Sequence, residues 1–285
     1  MGRQIPRRRS RRRDRRASDP ARLTVYLRIL SDRHARGAWN MAVDEMLLDG
    51  GSSSAGFTLR FYTWRLPTVS LGYMQPWRQG IDAALARRLG VDLVRRPTGG
   101  RAVLHNDELT YSLVGPSDLG PLAGGVMETY RRLADGLCRG LRQMGANVEV
   151  VRPMASSERQ GRTGACFSSR SRYELTHDGR KLVGSAQRRS GGRVLQHGAM
   201  PIGTPDARFW RVLGADGAIA AAATASLEEA LGRRPSSRAM TNGLARSIAE
   251  ALDLPTHIGS LSGRERRAAA NLARRHASAA WVRRI

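Results

Sequence analysis

The segment 172–201 constrains the fold most strongly, because two tight turns divide it into three short stretches with β-strand character. The first turn, Asp178-Gly179, is one of the strongest two-residue signals for a β-hairpin. The second turn, at 190–192, contains two glycines that permit another sharp reversal. The sequence therefore predicts a three-stranded antiparallel meander, with Lys181 two residues beyond the first turn.

Other strands are predicted in segments rich in aliphatic, aromatic and β-branched residues, which lie at 58–64, 68–73, 91–96, 101–105, 108–114 and 147–152. A Pro-Thr-Gly-Gly turn is expected to join 91–96 and 101–105 as a pair. Helices are predicted at 38–49, with Asn40 as the N-cap, at 126–145, and over the last 60 residues, 226–285. In this last region Ser226 with Glu229 and Ser262 with Glu265 have the spacing of a capping box. Paired strands with helices placed between them predict the α+β class, with mixed and antiparallel sheets packed against helices.

The chain is strongly basic, because 48 arginine and lysine residues against 24 aspartate and glutamate residues give a net charge of +24. The segment 1–22 holds many of the arginines and few apolar residues, so we expect it to be a disordered basic tail. A basic folded part attracts acidic proteins or nucleic acids. The basic stretches lack interleaved aromatic residues that stack on bases, so nucleic acid is not expected to be the main partner.

Several classes of protein and site are excluded by what the sequence lacks. No apolar run approaches the roughly 20 residues of a membrane-spanning helix. Two cysteines cannot build a disulfide framework or a cysteine-rich zinc site, and the six histidines lack metal-ligand spacing. We therefore expect a soluble cytoplasmic protein, not associated with a membrane, that contains no metal and no cofactor.

Lys181 is the only lysine, since the other 47 basic residues are arginines. The arginine bias is typical of a GC-rich genome. Because a guanidinium is a wide planar fork and an ammonium is compact, the retained lysine is a candidate for chemistry that arginine cannot perform. A leftover surface lysine is the alternative. On the predicted strand Lys181 and Ser185 share a face, and Gly184 and Ala186 leave room for a ligand.

The segment 95–105 combines the paired glycines Gly99 and Gly100 with flanking arginines. Glycines allow a ligand to approach the backbone, and arginines can hold an anion. The spacing matches neither a Walker loop nor a Rossmann fingerprint, and an ordinary glycine turn is the alternative. His105 and His197 are either ligand-binding residues or hydrogen-bonded structural histidines.

The two cysteines lie in different surroundings. Cys166 is in a polar segment with Arg162, Arg170 and Arg172 nearby. Cationic surroundings favour a thiolate, so Cys166 is a candidate nucleophile, with an incidental thiol as the alternative. Cys138 lies beside the apolar stripe of the helix predicted at 126–145, and we expect it to be structural.

Seven motifs follow one another along the chain. They are W-N-M-A-V-D-E at 39–45, L-R-F-Y-T-W at 59–64, S-L-G-Y-M-Q at 70–75, R-R-P-T-G-G-R-A-V-L-H-N-D-E-L-T-Y-S at 95–112, A-C-F at 165–167, G-R-K-L-V-G-S-A-Q-R-R at 179–189 and L-Q-H-G at 195–198. In this order they resemble the biotin/lipoate protein ligase superfamily over about 23–285. Within it, the chain is most similar to octanoyl-[acyl-carrier-protein]:protein octanoyltransferases of the kind that act on the glycine cleavage H protein.

The resemblance implies a class II synthetase-like catalytic domain at 23–235, with 236–285 as a helical segment packed on the same domain. It also implies an octanoyl-acyl carrier protein as donor and a lipoyl-domain protein, such as the glycine cleavage H protein, as acceptor in lipoate biosynthesis. Cys166 would carry the octanoyl group as a thioester, while Lys181 would lower the pKa of the thiol and polarise the acyl carbonyl. The implied substrate-binding residues are Arg96, Gly99, Gly100, Arg101, His105, Gly184, Ser185, Ala186 and His197.

Three other functions fit parts of the pattern. An ATP-dependent lipoate-protein ligase would bind an acyl-adenylate with the glycine turn and Lys181, and would not need Cys166. An amidotransferase would move octanoyl or lipoyl groups between lipoyl domains through the same thioester. A basic nucleic-acid-binding or regulatory protein is the third alternative.

Overall fold

The computed structural model describes residues 25–32, 34–50, 56–77, 79–151, 173–214 and 216–285. The tail at 1–22 and Cys166 with its neighbours lie outside these ranges. The strands are β1 (Leu27–Ser31), β2 (Phe57–Tyr62), β3 (Thr68–Leu71), β4 (Asp92–Arg95), β5 (Val103–His105), β6 (Glu108–Pro116), β7 (Glu149–Val150), β8 (Leu175–His177), β9 (Arg180–Ser190), β10 (Arg193–Pro201) and β11 (Thr256–Gly259). The helices are α1 (Gly37–Leu48), α2 (Ala83–Arg88), α3 (Val126–Gln143), α4 (Ala207–Trp210), α5 (Asp216–Ala222), α6 (Leu227–Leu231), α7 (Ser237–Leu252), α8 (Gly263–His276) and α9 (Ala279–Val282).

The predicted meander, β8 to β10, forms one side of a large mixed sheet, next to the edge strand β7. Its strand order is β11-β1-β2-β6-β10-β9-β8-β7, with β1 parallel to β11 and β2 and the other pairs antiparallel. Asp178 and Gly179 both have positive φ, which suits a hairpin turn whose twist matches that of the flanking strands. The α+β class predicted from the sequence is confirmed.

Alternating residues of the large sheet bury two faces under two pairs of helices. Leu113 and Val194 face the core under α3 and α7, whereas their neighbours Val114 and Leu195 pack with α1 and α8. Cys138 is buried in the first of these cores, as expected for a structural thiol. Burial on both faces fixes the register of the strands, because a shift by one residue would exchange the two faces.

A smaller sheet with strand order β4-β3-β5 lies beside the large one. Val69 and Leu104 on this sheet pack with α2 and with Trp210 and Val212 in a separate apolar core. The segment between β4 and β5 contains the paired glycines, so the small sheet presents this turn to the rest of the molecule.

A buried arginine joins α9 to the small sheet. Arg95 is fully buried and donates two hydrogen bonds to the carbonyl oxygen of Val282, at 2.7 and 3.1 Å. Its Nη1 donates to the carbonyl oxygens of Gly72 and Gln75, at 2.6 and 2.7 Å. One guanidinium thus holds together the loop after β3, the end of β4 and the last helix.

Three local predictions were wrong. The segments at 91–96 and 101–105 both form strands, but β4 and β5 do not pair with each other, because β3 lies between them. Asn40 is not the N-cap of α1, since the helix begins at Gly37 and the Asn40 amide donates to Thr63. The region 226–285 is not helical throughout, because Thr256–Gly259 forms β11 beside β1.

Both capping boxes predicted from the sequence are present. Ser226 with Glu229 begins α6, and Ser262 with Glu265 begins α8. Each serine hydroxyl accepts from a backbone N–H that would otherwise lack a partner. Among the described residues, no helix combines the length and apolar character needed to cross a bilayer.

The close approach of β3 to the glycine turn requires Gly72. A Cβ atom at this position would lie 1.8 Å from the carbonyl oxygen of Gly100, which itself has a φ of 88°. By contrast, a Cβ on Gly99 would meet nothing within 4 Å.

We therefore expect Gly72→Ala to lower the free energy of unfolding by about 1–3 kcal/mol, because the backbone of the turn must shift to relieve the overlap. Gly99→Ala is the matched control and should change stability by no more than about 0.5 kcal/mol. Urea unfolding of the two variants measures the difference. Equal effects of the two substitutions would contradict this account of Gly72.

Candidate active site

A largely apolar pocket opens where the large sheet meets the small one. Its walls come from the strands β2, β6, β9 and β10 and from the small sheet with the start of the glycine turn. The lining residues are Met41, Tyr62, Trp64, Ser70, Arg96, Val103, His105, Thr110, Lys181, Gly184, Ser185, Ala186, His197, Gly198 and Ala199.

Seven residues that the sequence marked as site residues line this one pocket. They are Lys181, Arg96, His105, Gly184, Ser185, Ala186 and His197. Gly99 and Gly100 are exposed and Arg101 is half-buried, and these three lie outside the pocket wall. Cys166 is outside the described residues.

Lys181 points into the protein and not into solvent. Its side chain is only 3% exposed, and its Nζ lies 2.5 Å from Oε1 of Glu174, which is equally buried. The hairpin brings the two residues close, because Thr176 is opposite Lys181 and Glu174 lies two residues before Thr176, beyond a shift of the strand register between Leu175 and Thr176. The only lysine of the chain is thus held at the pocket wall by a buried carboxylate.

Arg96 fixes the glycine turn from inside. Its Nη2 donates to the carbonyl oxygens of Gly99 and Arg101, both at 2.7 Å, and its Nη1 donates to the Ser70 carbonyl at 2.8 Å. Gly99, Gly100 and Arg101 therefore contribute backbone geometry, while the Arg96 guanidinium forms part of the wall.

His197 connects the core to the glycine turn. Its Nδ1 lies 3.0 Å from Oδ2 of Asp44, and its Nε2 lies 2.6 Å from the hydroxyl of Thr98. Burial lowers the pKa of His197 despite the neighbouring carboxylate, which favours the neutral ring. Because ionised Asp44 can only accept, Nδ1 carries the proton and Nε2 accepts from Thr98.

Asp44 stays ionised although it is fully buried. Burial alone would raise the pKa of this carboxyl, but the hydrogen bond from His197 and the positive charge of Arg60 outweigh burial and hold the pKa below its usual value. Arg60 donates to Oδ1 at 2.8 Å, and the Tyr62 hydroxyl donates to Oδ2 at 2.9 Å.

His105 is held by a second carboxylate. Its Nδ1 lies 2.9 Å from Oε1 of Glu108, its Nε2 lies 2.7 Å from the Ser70 hydroxyl, and its ring stacks on Trp64 at 4.0 Å. Both pocket histidines are therefore hydrogen-bonded at both ring nitrogens and fixed in orientation. The interpretation of both residues as hydrogen-bonded structural histidines is confirmed, and both also line the pocket.

The sequence did not identify the acidic partners and Thr98 as site residues. Asp44 and Glu108 lay within motifs but had no assigned role, although a carboxylate inside the apolar helix sequence around Asp44 was an available signal. For Glu174 the available signal was its position two residues before Thr176, which the predicted hairpin sets opposite Lys181. Among the described residues, no group of three or more histidine, cysteine or acidic side chains could hold a metal ion.

Glu174→Gln should reduce the free energy of unfolding by about 3–5 kcal/mol, because it removes a buried charged partner of the Lys181 ammonium. The matched control is Asp135→Asn, whose exposed partner Arg131 lies 3.7 Å away; this change should cost at most about 0.5 kcal/mol. Chemical denaturation of both variants tests the expectation. If Glu174→Gln proves as mild as the control, the ion pair does not hold Lys181 as described.

Comparisons with known proteins agree with this architecture. The family model for the lipoyl protein ligase A/B catalytic domain matches residues 36–249. Octanoyltransferase LipM of Moorella thermoacetica is 40% identical over 254 residues, covering 86% of this chain and 93% of the relative. Octanoyltransferase LipM of Kyrpidia tusciae is 37% identical, covering 89% of this chain and 97% of the relative. The expected enzyme class, an acyltransferase for octanoyl groups in lipoate biosynthesis, is thereby confirmed.

Solved structures share the fold at lower sequence identity. Lipoate-protein ligase A bound with ATP superposes with a TM-score of 0.74 at 22% identity, covering 92% of this chain and 99% of that one. The bipartite lipoate protein ligase of Thermoplasma acidophilum also gives 0.74, at 20% identity, covering 92% and 98%. The family match, the relatives and the shared fold identify this chain as a member of the lipoyl protein ligase A/B catalytic domain family.

Proposed function

We propose that this chain transfers an octanoyl group from an octanoyl-acyl carrier protein to a lysine of a lipoyl-domain protein, through a thioester on Cys166. The observation that carries the proposal is the buried Lys181 ammonium at the wall of a largely apolar pocket. The similarity to octanoyltransferases, which covers 86% and 89% of this chain for the two relatives, supports the same reaction.

In the first step the Cys166 thiolate attacks the carbonyl carbon of the donor thioester. A new carbon–sulfur bond forms, the bond to the donor sulfur breaks, and the carrier leaves as a thiol after taking a proton. Lys181 has two roles in this step: its positive charge favours the thiolate, and its N–H groups can donate to the carbonyl oxygen as negative charge develops there.

In the second step the neutral amine of the acceptor lysine attacks the carbonyl carbon of the Cys166 thioester. An amide bond forms, the amine loses a proton, and the Cys166 sulfur is released. Exchange of one thioester for another is nearly balanced, and conversion of a thioester to an amide is downhill. Two easier steps thus replace one difficult step, without activation by ATP.

The pocket walls suit an aliphatic acyl chain. Gly184 and Ala186 on β9 and Val103 on β5 present small or apolar surfaces to the pocket. Arg96, at the start of the glycine turn, contributes to the adjoining wall, and we assign the acyl group to the space between these surfaces. The net charge of +24 favours encounter with acidic proteins, and we propose the glycine cleavage H protein as the acceptor.

Incubation of the full chain with octanoyl-acyl carrier protein, without ATP, should add one octanoyl mass that hydroxylamine removes. Cys166→Ser should neither form this adduct nor transfer octanoyl, whereas Cys138→Ala, which changes a buried core thiol, should retain both. Intact-mass analysis of the three proteins makes the measurement. Normal turnover by Cys166→Ser, or ATP–pyrophosphate exchange driven by lipoate, would instead favour a ligase.

Lys181→Arg should reduce transfer by at least about a hundredfold, because a planar guanidinium cannot occupy the position of an ammonium held by Glu174. Arg180→Lys, at the neighbouring half-exposed position on β9, is the control and should transfer normally. Initial rates with both substrates at saturation give the comparison. A nearly unchanged rate for Lys181→Arg would remove the catalytic role from this lysine.

A further inference from the structure

Two arginines contact one tyrosine ring close to the glycine turn. The guanidinium carbon of Arg188 lies 4.1 Å from the centre of the Tyr73 ring, and that of Arg284 lies 3.8 Å from it. Both guanidiniums also hold the backbone, since Arg284 donates to the Tyr73 carbonyl at 2.7 Å and Arg188 to the Pro97 carbonyl at 3.0 Å. We call Arg188, Tyr73 and Arg284 the arginine–tyrosine clamp.

The clamp concentrates positive charge. Because both guanidiniums contact the same ring, their carbons lie no more than about 8 Å apart, and like charges at this separation repel. Within the described part of the chain, neither arginine has a carboxylate at ion-pair distance, and the buried Nε of Arg284 has no hydrogen-bond acceptor. Asp49 is a nearby acid, and burial raises the pKa of its carboxyl. The positive charge of Arg188 opposes this rise in pKa but does not cancel it.

The two guanidiniums also change the acidity of the Tyr73 hydroxyl. Hydrogen bonding from Arg284 and Arg188 lowers the pKa of its hydroxyl, so the surroundings favour negative charge at this point. The three side chains are half-buried and accessible from solvent. Two forked donors beside a phenol are well suited to an oxyanion with several acceptor atoms.

The position of the clamp relates it to the pocket. Arg188 is on the same face of β9 as Ala186 and Gly184, at about 7 and 13 Å along the strand, because a strand rises about 3.3 Å per residue. On the other side, the Tyr73 N–H donates to the carbonyl of Thr98 at 2.8 Å, which places the clamp against the glycine turn. The clamp therefore lies at the end of the pocket wall formed by β9.

We propose that the arginine–tyrosine clamp binds a phosphate ester, namely the phosphodiester of the prosthetic arm that carries the acyl group on the donor. This inference rests on the proposed function. An acyl carrier holds its thioester at the end of a pantetheine arm attached through a phosphodiester. When fully extended, the arm is about as long as four residues of extended polypeptide, roughly 15 Å. This length is comparable with the distance from the pocket wall to Arg188.

Binding of unacylated arms to the full chain tests the clamp without requiring turnover. In isothermal titration, 4′-phosphopantetheine should bind roughly tenfold more tightly than pantetheine, because only the former offers a charged acceptor to two arginines. In the double variant Arg188→Gln/Arg284→Gln, the affinities for the two arms should differ by less than about twofold. The control Arg139→Gln/Arg246→Gln removes the same charge from exposed positions on α3 and α7 and should keep the preference.

A charge-conserving variant separates binding from structural damage. Arg188→Lys/Arg284→Lys should retain most of the preference for phosphopantetheine, even if the glutamine variant unfolds. With octanoylated arms as donors, the glutamine variant should raise KM for the phosphorylated donor only and leave kcat unchanged.

Three results would overturn the proposal. The first is equal binding of the two arms by the wild-type chain, and the second is an equal loss for both arms in the glutamine variant. The third is a chain that binds both arms equally while AMP competes for binding in a way that requires both arginines. This result would assign the clamp to a nucleotide. Because titration requires no transfer, failure of the proposed octanoyl transfer would appear separately, as the absence of an adduct on Cys166.

Discussion

The buried carboxylate of Asp44 is the interaction on which the central architecture depends. It accepts from Arg60 on β2, Tyr62 on β2, Ser112 on β6 and His197 on β10, at 2.8–3.0 Å. A buried charge is costly unless it is paired and its remaining lone pairs are satisfied, and here all four contacts meet that need. One side chain of α1 thus requires three strands of the large sheet to be in register at the same time.

The same network extends to the pocket. His197 is hydrogen-bonded to both Asp44 and Thr98, so the position of Asp44 also fixes that of Thr98. Thr98 begins the turn whose carbonyl oxygens accept hydrogen bonds from Arg96. His105 is fixed in the same manner by Glu108 and Ser70. The pocket wall is therefore set before any ligand arrives, which is the condition for polar groups to act on a developing charge without reorganising.

Local patterns in the sequence were sufficient for much of the fold. The hairpin turn at Asp178, the capping boxes and the apolar stripe of α3 depend on neighbouring residues, and all were predicted. The partners of β4 and β5 were not, because the intervening β3 lies earlier in the chain and no local signal specifies such a pairing. The strand β11 was missed because four mostly exposed residues show no alternation of apolar and polar side chains.

For the candidate site too, the sequence identified some residues and missed others. Residues with unusual chemistry or flexible backbone, such as Lys181 and Gly184, were identified from their type and position. Their acidic partners were not identified, because a carboxylate is common on any surface and becomes informative only when it is buried. Glu174 is a partial exception, since the hairpin sets Lys181 opposite Thr176, two residues after Glu174, although no sequence signal shows the register shift between them.

The hydrogen bonds from Arg95 to Val282 have a consequence for biosynthesis. The loop around Gly72 and Tyr73 receives its support from a carbonyl group that lies 187 positions further along the polypeptide than the arginine that binds it. A ribosome must therefore deliver α9 before this rim can take its final shape. A nascent chain in which the cores on both faces of the large sheet have formed would still lack the final structure of the loop around Gly72 and Tyr73. Such a chain would be largely folded before its pocket could bind a substrate.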